Sequence, residues 1–130
     1  MGNNVNILLV DDNPADVELT RVNLEDAKLH INLDVVNDGA QALDFLYQQN
    51  EYANALRPDM ILLDLNLPKV NGREVLAKIK SDKSLKRIPV VVLTSSEAES
   101  DIIESYESHA NAYVTKPIGL ESFANIVKSL

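Results

Sequence analysis

The chain has 130 residues, 12 Lys plus Arg against 20 Asp plus Glu for a formal charge of −8, and 45% apolar residues. That suits one soluble globular domain with a core needing no covalent staples, and the absence of Cys removes disulfides, thiolate zinc sites and thiol nucleophiles. The acidic excess, with no basic run longer than Lys86-Arg87, disfavours nucleic acid as a direct partner, and no apolar run reaches across a bilayer, so a cytoplasmic protein without membrane contact is expected.

In chain order, Asn6 to Val10 is the first of five short runs rich in Val, Ile and Leu that read as strands. Asn13 then offers an N-cap and Pro14 an N1 residue for a helix to about Lys28. Its inward row is Val17, Thr20, Leu24 and Ala27. A second row, Ala15, Leu19 and Val22, lies opposite and is either an exposed accident or a contact surface. A strand follows at Ile31 to Val36 and a helix at about Gly39 to Gln49. The connection from Tyr47 to Pro58 is long for its place, a tolerated surface insertion on the plainest reading.

The third strand spans Met60 to Leu63, with a helix at Gly72 to Ser81. The fourth spans Val90 to Thr94, with a helix at about Glu97 to Ser108. The fifth spans Ala112 to Thr115, and Gly119 to Leu130 closes with Leu120, Phe123, Val127 and Leu130 on one helical face. The first, third and fourth strands are apolar enough to be covered on both faces. Five β-α units with short connections predict an α/β, (βα)5 flavodoxin-like fold: a parallel sheet in the order 2-1-3-4-5 with helices on both faces. No internal repeat or linker divides the chain, so residues 1–130 are expected to form a single domain with no effector domain.

In such a sheet the crevice lies at the carboxyl ends of strands one and three. Strand one ends in Asp11-Asp12 and strand three in Asp64. Singly these aspartates suit helix and turn caps. Together they form a costly cluster of like charges unless a cation neutralises it, and oxygen donors of this kind suit Mg²⁺. Strand four brings Thr94 to the same edge and strand five Lys116-Pro117, which makes the set a phosphoryl site.

This constellation resembles the receiver domain of two-component response regulators, the CheY-like family, over essentially the whole chain. The matching residues are Asp11-Asp12, Asp64 with Pro68 and Gly72 behind it, Thr94, and Lys116-Pro117. The resemblance implies that Asp64 accepts a phosphoryl group from the phosphohistidine of a histidine kinase or phosphotransfer protein. It implies Mg²⁺ held by Asp12 directly, Asp11 through water, Asp64, and the backbone carbonyl of Asn66. Lys116 and Thr94 would meet phosphoryl oxygens, a cis Lys116–Pro117 peptide would aim the lysine, and Thr94 with Tyr113 would switch on phosphorylation. Asn66 and Ser96 match the positions that adjust aspartyl phosphate hydrolysis.

Output would pass through the surface of the fourth helix, fifth strand and fifth helix, including Ile102, Tyr106 and Tyr113, to another protein or to a homodimer partner. The row Ala15, Leu19 and Val22 would dock the kinase. Asn13 to Thr20, the long connection and Asp64 to Lys69 resemble the small response regulators paired with phytochrome-type histidine kinases, in which case a last dimer-forming stretch would be missing after Leu130. A signalling phosphoacceptor is thus expected rather than an enzyme. The alternatives are a pseudo-receiver interaction module, a flavodoxin-like mononucleotide binder, and an aspartate-nucleophile phosphatase. The last wants a second Asp where Asn66 stands, and the mononucleotide binder wants a phosphate loop where Asp11-Asp12-Asn13-Pro14 stands. His30 and His109 read as surface residues.

Overall fold

The computed structural model describes residues 5–25, 31–64, 67, 72–94 and 112–115. Strands β1 (Val5–Val10), β2 (Ile31–Val36), β3 (Met60–Asp64), β4 (Val90–Thr94) and β5 (Ala112–Thr115) form one parallel sheet in the order β2-β1-β3-β4-β5. Helices α1 (Pro14–Glu25), α2 (Gly39–Leu46) and α3 (Gly72–Ser81) lie between them. The helices expected over 97–108 and 119–130, and residues 26–28 of the first, lie outside the described residues, as do His30 and His109.

The continuous apolar runs follow from burial on two sides. Ile7, Leu9, Met60, Leu62, Val91 and Leu93 pack with Leu24 and the half-buried Val17 of α1. The alternate residues Leu8, Val10, Ile61, Leu63, Val90 and Val92 pack with Phe45 and Leu46 of α2 and Val75, Leu76 and Ile79 of α3. Successive side chains of a strand point to opposite faces, so a strand with helices on both sides must be apolar at every position. Burying each such Leu or Ile contributes about 1.5–3 kcal/mol. β2, at the sheet edge, alternates half-buried and exposed residues instead.

The start of α1 follows its sequence signal. Asn13 Oδ1 accepts from the N–H groups of Ala15 (2.9 Å) and Asp16 (3.2 Å), and Pro14 takes N1, where no donor is needed. Thr20 and Leu24 are buried on its inward side. α2 starts on Asp38, whose carboxylate accepts from the Gln41 N–H at 2.7 Å, while Gln41 Oε1 accepts from the Asn37 N–H at 2.8 Å.

α2 is shorter than its sequence pattern predicts, ending at Leu46 rather than Gln49. The Gln48 N–H donates to the Phe45 carbonyl (3.2 Å) and the Gln49 N–H to the Asp44 carbonyl (2.8 Å), with Gln48 in the left-handed region at φ 56°. This is a Schellman closure with Gln where Gly is usual, so the chain carries no glycine stop signal. Asn50, at φ 54°, then opens a single 3₁₀ turn over Asn50–Tyr52. The connection to β3 is tied back by Gln48 Nε2 to the Ala55 carbonyl (2.8 Å), Asn50 Nδ2 to Asp44 Oδ2 (3.1 Å), and a tilted Phe45–Tyr52 ring pair with centroids 5.3 Å apart. It is a built structure rather than a loose insertion. β3 runs one residue further than its apolar run, so Asp64 lies within the strand and pairs in register with Leu93 of β4.

Candidate functional site

Register decides which side chains meet. Val10 of β1 lies level with Leu63 of β3, so the next residues along, Asp11 and Asp64, come side by side at the carboxyl ends of two neighbouring strands. Asp11, Asp12 and Asp64 each place a carboxylate oxygen within 4.8 Å of the other two. Asp11 and Asp64 are buried and Asp12 is exposed, giving two carboxylates sunk into the sheet edge and one at its mouth.

Asp11 is held from both sides. Its N–H donates to the Val36 carbonyl at 3.1 Å, which carries the β1–β2 ladder one step past the last strand residue. Its Oδ1 accepts from the Asn13 N–H at 3.0 Å. The capping expectation for Asp11 is therefore met in part: it shapes the turn into α1, whereas the cap itself is Asn13. Val36 is a contributor that sequence reasoning missed, and a backbone carbonyl leaves no trace in residue identity.

Three carboxylate oxygens, with no nitrogen or sulfur donor, form a donor set for a hard divalent cation. Ligands on opposite sides of a Mg²⁺ ion lie about 4 Å apart, so the cluster fits such an ion after closing by about 1 Å at its widest. Without one, like charges at this spacing repel.

Thr94 ends β4 and lies level with Thr115 of β5, while Tyr113 lies level with Val92. The backbone thus brings Thr94 to the same sheet edge as Asp64, and residue 116 directly follows the partner of Thr94. The side chains of Thr94 and Tyr113 lie outside what the structure describes, as do Asn66, Pro68, Ser96, Lys116 and Pro117, and Ile102 and Tyr106 of the expected output surface. Ala15, Leu19 and Val22 are all exposed on α1, Leu19 at 42% and Val22 at 43%. Ala15 lies in the first turn of α1, directly after the segment that carries Asp11 and Asp12, and Leu19 and Val22 follow along the helix.

The sequence model of the response regulator receiver domain matches residues 7–128. The chain belongs to the response regulator receiver family. This receiver is 51% identical over 124 residues to the response regulator Rcp1 of Synechocystis sp., covering 95% of the chain and 84% of Rcp1. A solved structure of the manganese-bound form of Rcp1 superposes with a TM-score of 0.79 at 50% identity, covering 96% of this receiver and 90% of that chain. The bacteriophytochrome response regulator RtBRR superposes with a TM-score of 0.90 at 48% identity, covering 98% and 78%. The phosphorylated cyanobacterial phytochrome response regulator RcpA gives 0.81 at 52% identity, covering 98% and 91%. The receiver is a phosphoacceptor of two-component signalling, and the flavodoxin-like sheet is the fold expected of it. Among the described residues, no helix is long and apolar enough to cross a membrane.

Proposed function

We propose that Asp64 is the residue phosphorylated, with Asp11 and Asp12 holding a magnesium ion beside it. The observation that carries this reading is the convergence of the three carboxylates at the carboxyl ends of β1 and β3. A carboxylate oxygen of Asp64 attacks the phosphorus of a phosphohistidine, the P–N bond breaks with its electron pair going to the imidazole, and an acyl phosphate remains on Asp64. Bound magnesium supplies charge neutralisation for the phosphoryl oxygens, as the manganese form of Rcp1 supports. Asp12, Asp11 and Asp64 would hold the ion, Asp11 by way of a water, with the backbone carbonyl of Asn66 supplying the protein's remaining share. Lys116 neutralises a second oxygen and Thr94 donates its hydroxyl to a third.

Residues 1–130 work as one receiver unit that turns over only its own aspartyl phosphate. The donor is a histidine kinase of the phytochrome type, a reading supported by the likeness to RtBRR and RcpA. It docks on the exposed Ala15, Leu19 and Val22 of α1, beside the phosphoacceptor. Phosphorylation draws the Thr94 hydroxyl toward the phosphoryl group, Tyr113 rotates into the space it leaves, a cis Lys116–Pro117 peptide aims the lysine, and the surface of β5 with the flanking segments 97–108 and 119–130 changes for a partner or a second copy. The cytoplasm is where such a kinase domain is met.

Intact mass after incubation with acetyl phosphate tests the site. One phosphoryl adduct that requires Mg²⁺ and is absent from Asp64→Asn is expected. An adduct that survives the substitution, or none on the folded wild type, refutes it.

A further inference from the structure

A second concave feature lies at the opposite end of the sheet. A cleft of about 650 Å³ opens between the amino-terminal halves of β1 and β2 and the connection that follows α2. Its sheet side carries Asn6, Asn32 and Asp34, with Asn32 Nδ2 donating to Asn6 Oδ1 at 3.0 Å. Its other wall carries Phe45, Tyr52 and Leu56, with Glu51 at the rim. Leu56 is 67% exposed although the turn preceding it is fixed by the Gln48 and Asn50 side chains and by the Phe45–Tyr52 ring pair. A loop tied back at these points and holding a leucine in solvent beside a cleft walled by the half-buried Tyr52 is shaped like a recognition site.

We propose that this cleft binds an extended, arginine-bearing segment of a protein partner. The electrostatics select a cation. Asp34 and Glu51 line the cleft, both exposed. Burial raises the Tyr52 hydroxyl above its ordinary value, and the nearby carboxylates of Glu51, Asp38 and Asp44 add to that push. A planar guanidinium stacks on an aromatic face, donates to carboxylate and amide oxygens, and lays its aliphatic stem along an apolar side chain such as Leu56. The cleft also follows four successive residues of the edge strand, Ile31 to Asp34, a run of about 13 Å that matches a short extended peptide. A second copy of this chain, at −8, brings the wrong charge. Asn6 of β1 lies five residues before Asp11, which directly follows that strand, roughly 17 Å away, so the segment can stay bound while Asp64 is phosphorylated.

The test is a ¹H–¹⁵N titration of the full chain, with Mg²⁺ present, using acetyl-Leu-Arg-Leu-amide and its citrulline analogue. Saturable shifts at the side-chain amides of Asn6 and Asn32 and at Tyr52 and Leu56 are expected for the arginine peptide in the millimolar range. Affinity should fall about fivefold in the exposed double variant Asp34→Asn/Glu51→Gln, and Leu56→Ser should weaken it separately. Equal response to citrulline, shifts confined to Asp11, Asp12 and Asp64, or no saturable shift at the cleft overturns the proposal. Shifts there that depend on protein concentration rather than on peptide assign the cleft to a second copy, and also overturn it.

Discussion

Replacing Asp12 by Asn should stabilise the metal-free receiver and remove most of its response to magnesium. With carboxylate oxygens up to 4.8 Å apart, a like-charge pair costs about 0.9 kcal/mol in a water-like dielectric and about 3.5 kcal/mol at an effective dielectric of 20. Asp12 is exposed, so the lower figure applies, counted once toward Asp11 and once toward Asp64 and roughly halved by physiological salt. The expected gain is about 1 kcal/mol, or about 3–6 °C in Tm for a domain of this size. Magnesium at ten times its dissociation constant should raise wild-type stability by about 1.4 kcal/mol and the variant's by much less. Thermal melts of both proteins in EDTA and in Mg²⁺ should therefore change rank: the variant ahead without metal, its lead gone with it. A variant that melts lower than wild type by the same margin in both conditions would refute the reasoning and leave Asp12 a structural turn residue.

Leu19→Glu should abolish transfer from the cognate kinase while acetyl phosphate still labels Asp64, measured by phosphoprotein gel and intact mass; unimpaired kinase transfer would remove α1 from the docking surface. Asn13→Ala removes the acceptor for two N–H groups of α1 and should cost about 1 kcal/mol in denaturant unfolding. Hydrogen bonds from the Ser84 hydroxyl and N–H hold the Asp82 carboxyl below its ordinary 3.8. Its contribution to stability is thus complete above the unfolded value and is lost as pH falls through the lower folded one. A carbon-detected titration should place the Asp82 midpoint below 3.8, and a midpoint at or above that value contradicts the assignment.

The strands were legible because double-sided burial forces unbroken runs such as Ile61 to Leu63, and the start of α1 because Asn13-Pro14 is a local signal. The three aspartates could be placed together once strand order was known, since Asp64 ends a central strand and Asp11-Asp12 are the first two residues after its neighbour. The end of α2 was not legible, because the left-handed position that closes it holds Gln48 rather than Gly. Nor was the cleft beside β2. Asn6, Asn32, Asp34 and Tyr52 are far apart in the chain, and only the parallel register and the fold-back of the connection bring them together. The support of Asp11 by Val36 is a main-chain bond, which any residue at that position could make.

Placing β1 between β2 and β3 also sets an order in time. The first of the five strands along the receiver is an interior strand of the finished sheet, flanked by residues 31–36 on one side and 60–64 on the other. Pairing it therefore requires closing loops of tens of residues before either contact contributes, the situation in which parallel sheets fold slowly. Asp11 and Asp12 are made before Asp64, so a nascent chain that stops short of residue 64 holds two of the three carboxylates and no complete cation site. Metal binding thus reports the pairing of β1 with β3, and the dependence of refolding rate on magnesium would show whether they pair before or after the rate-limiting step.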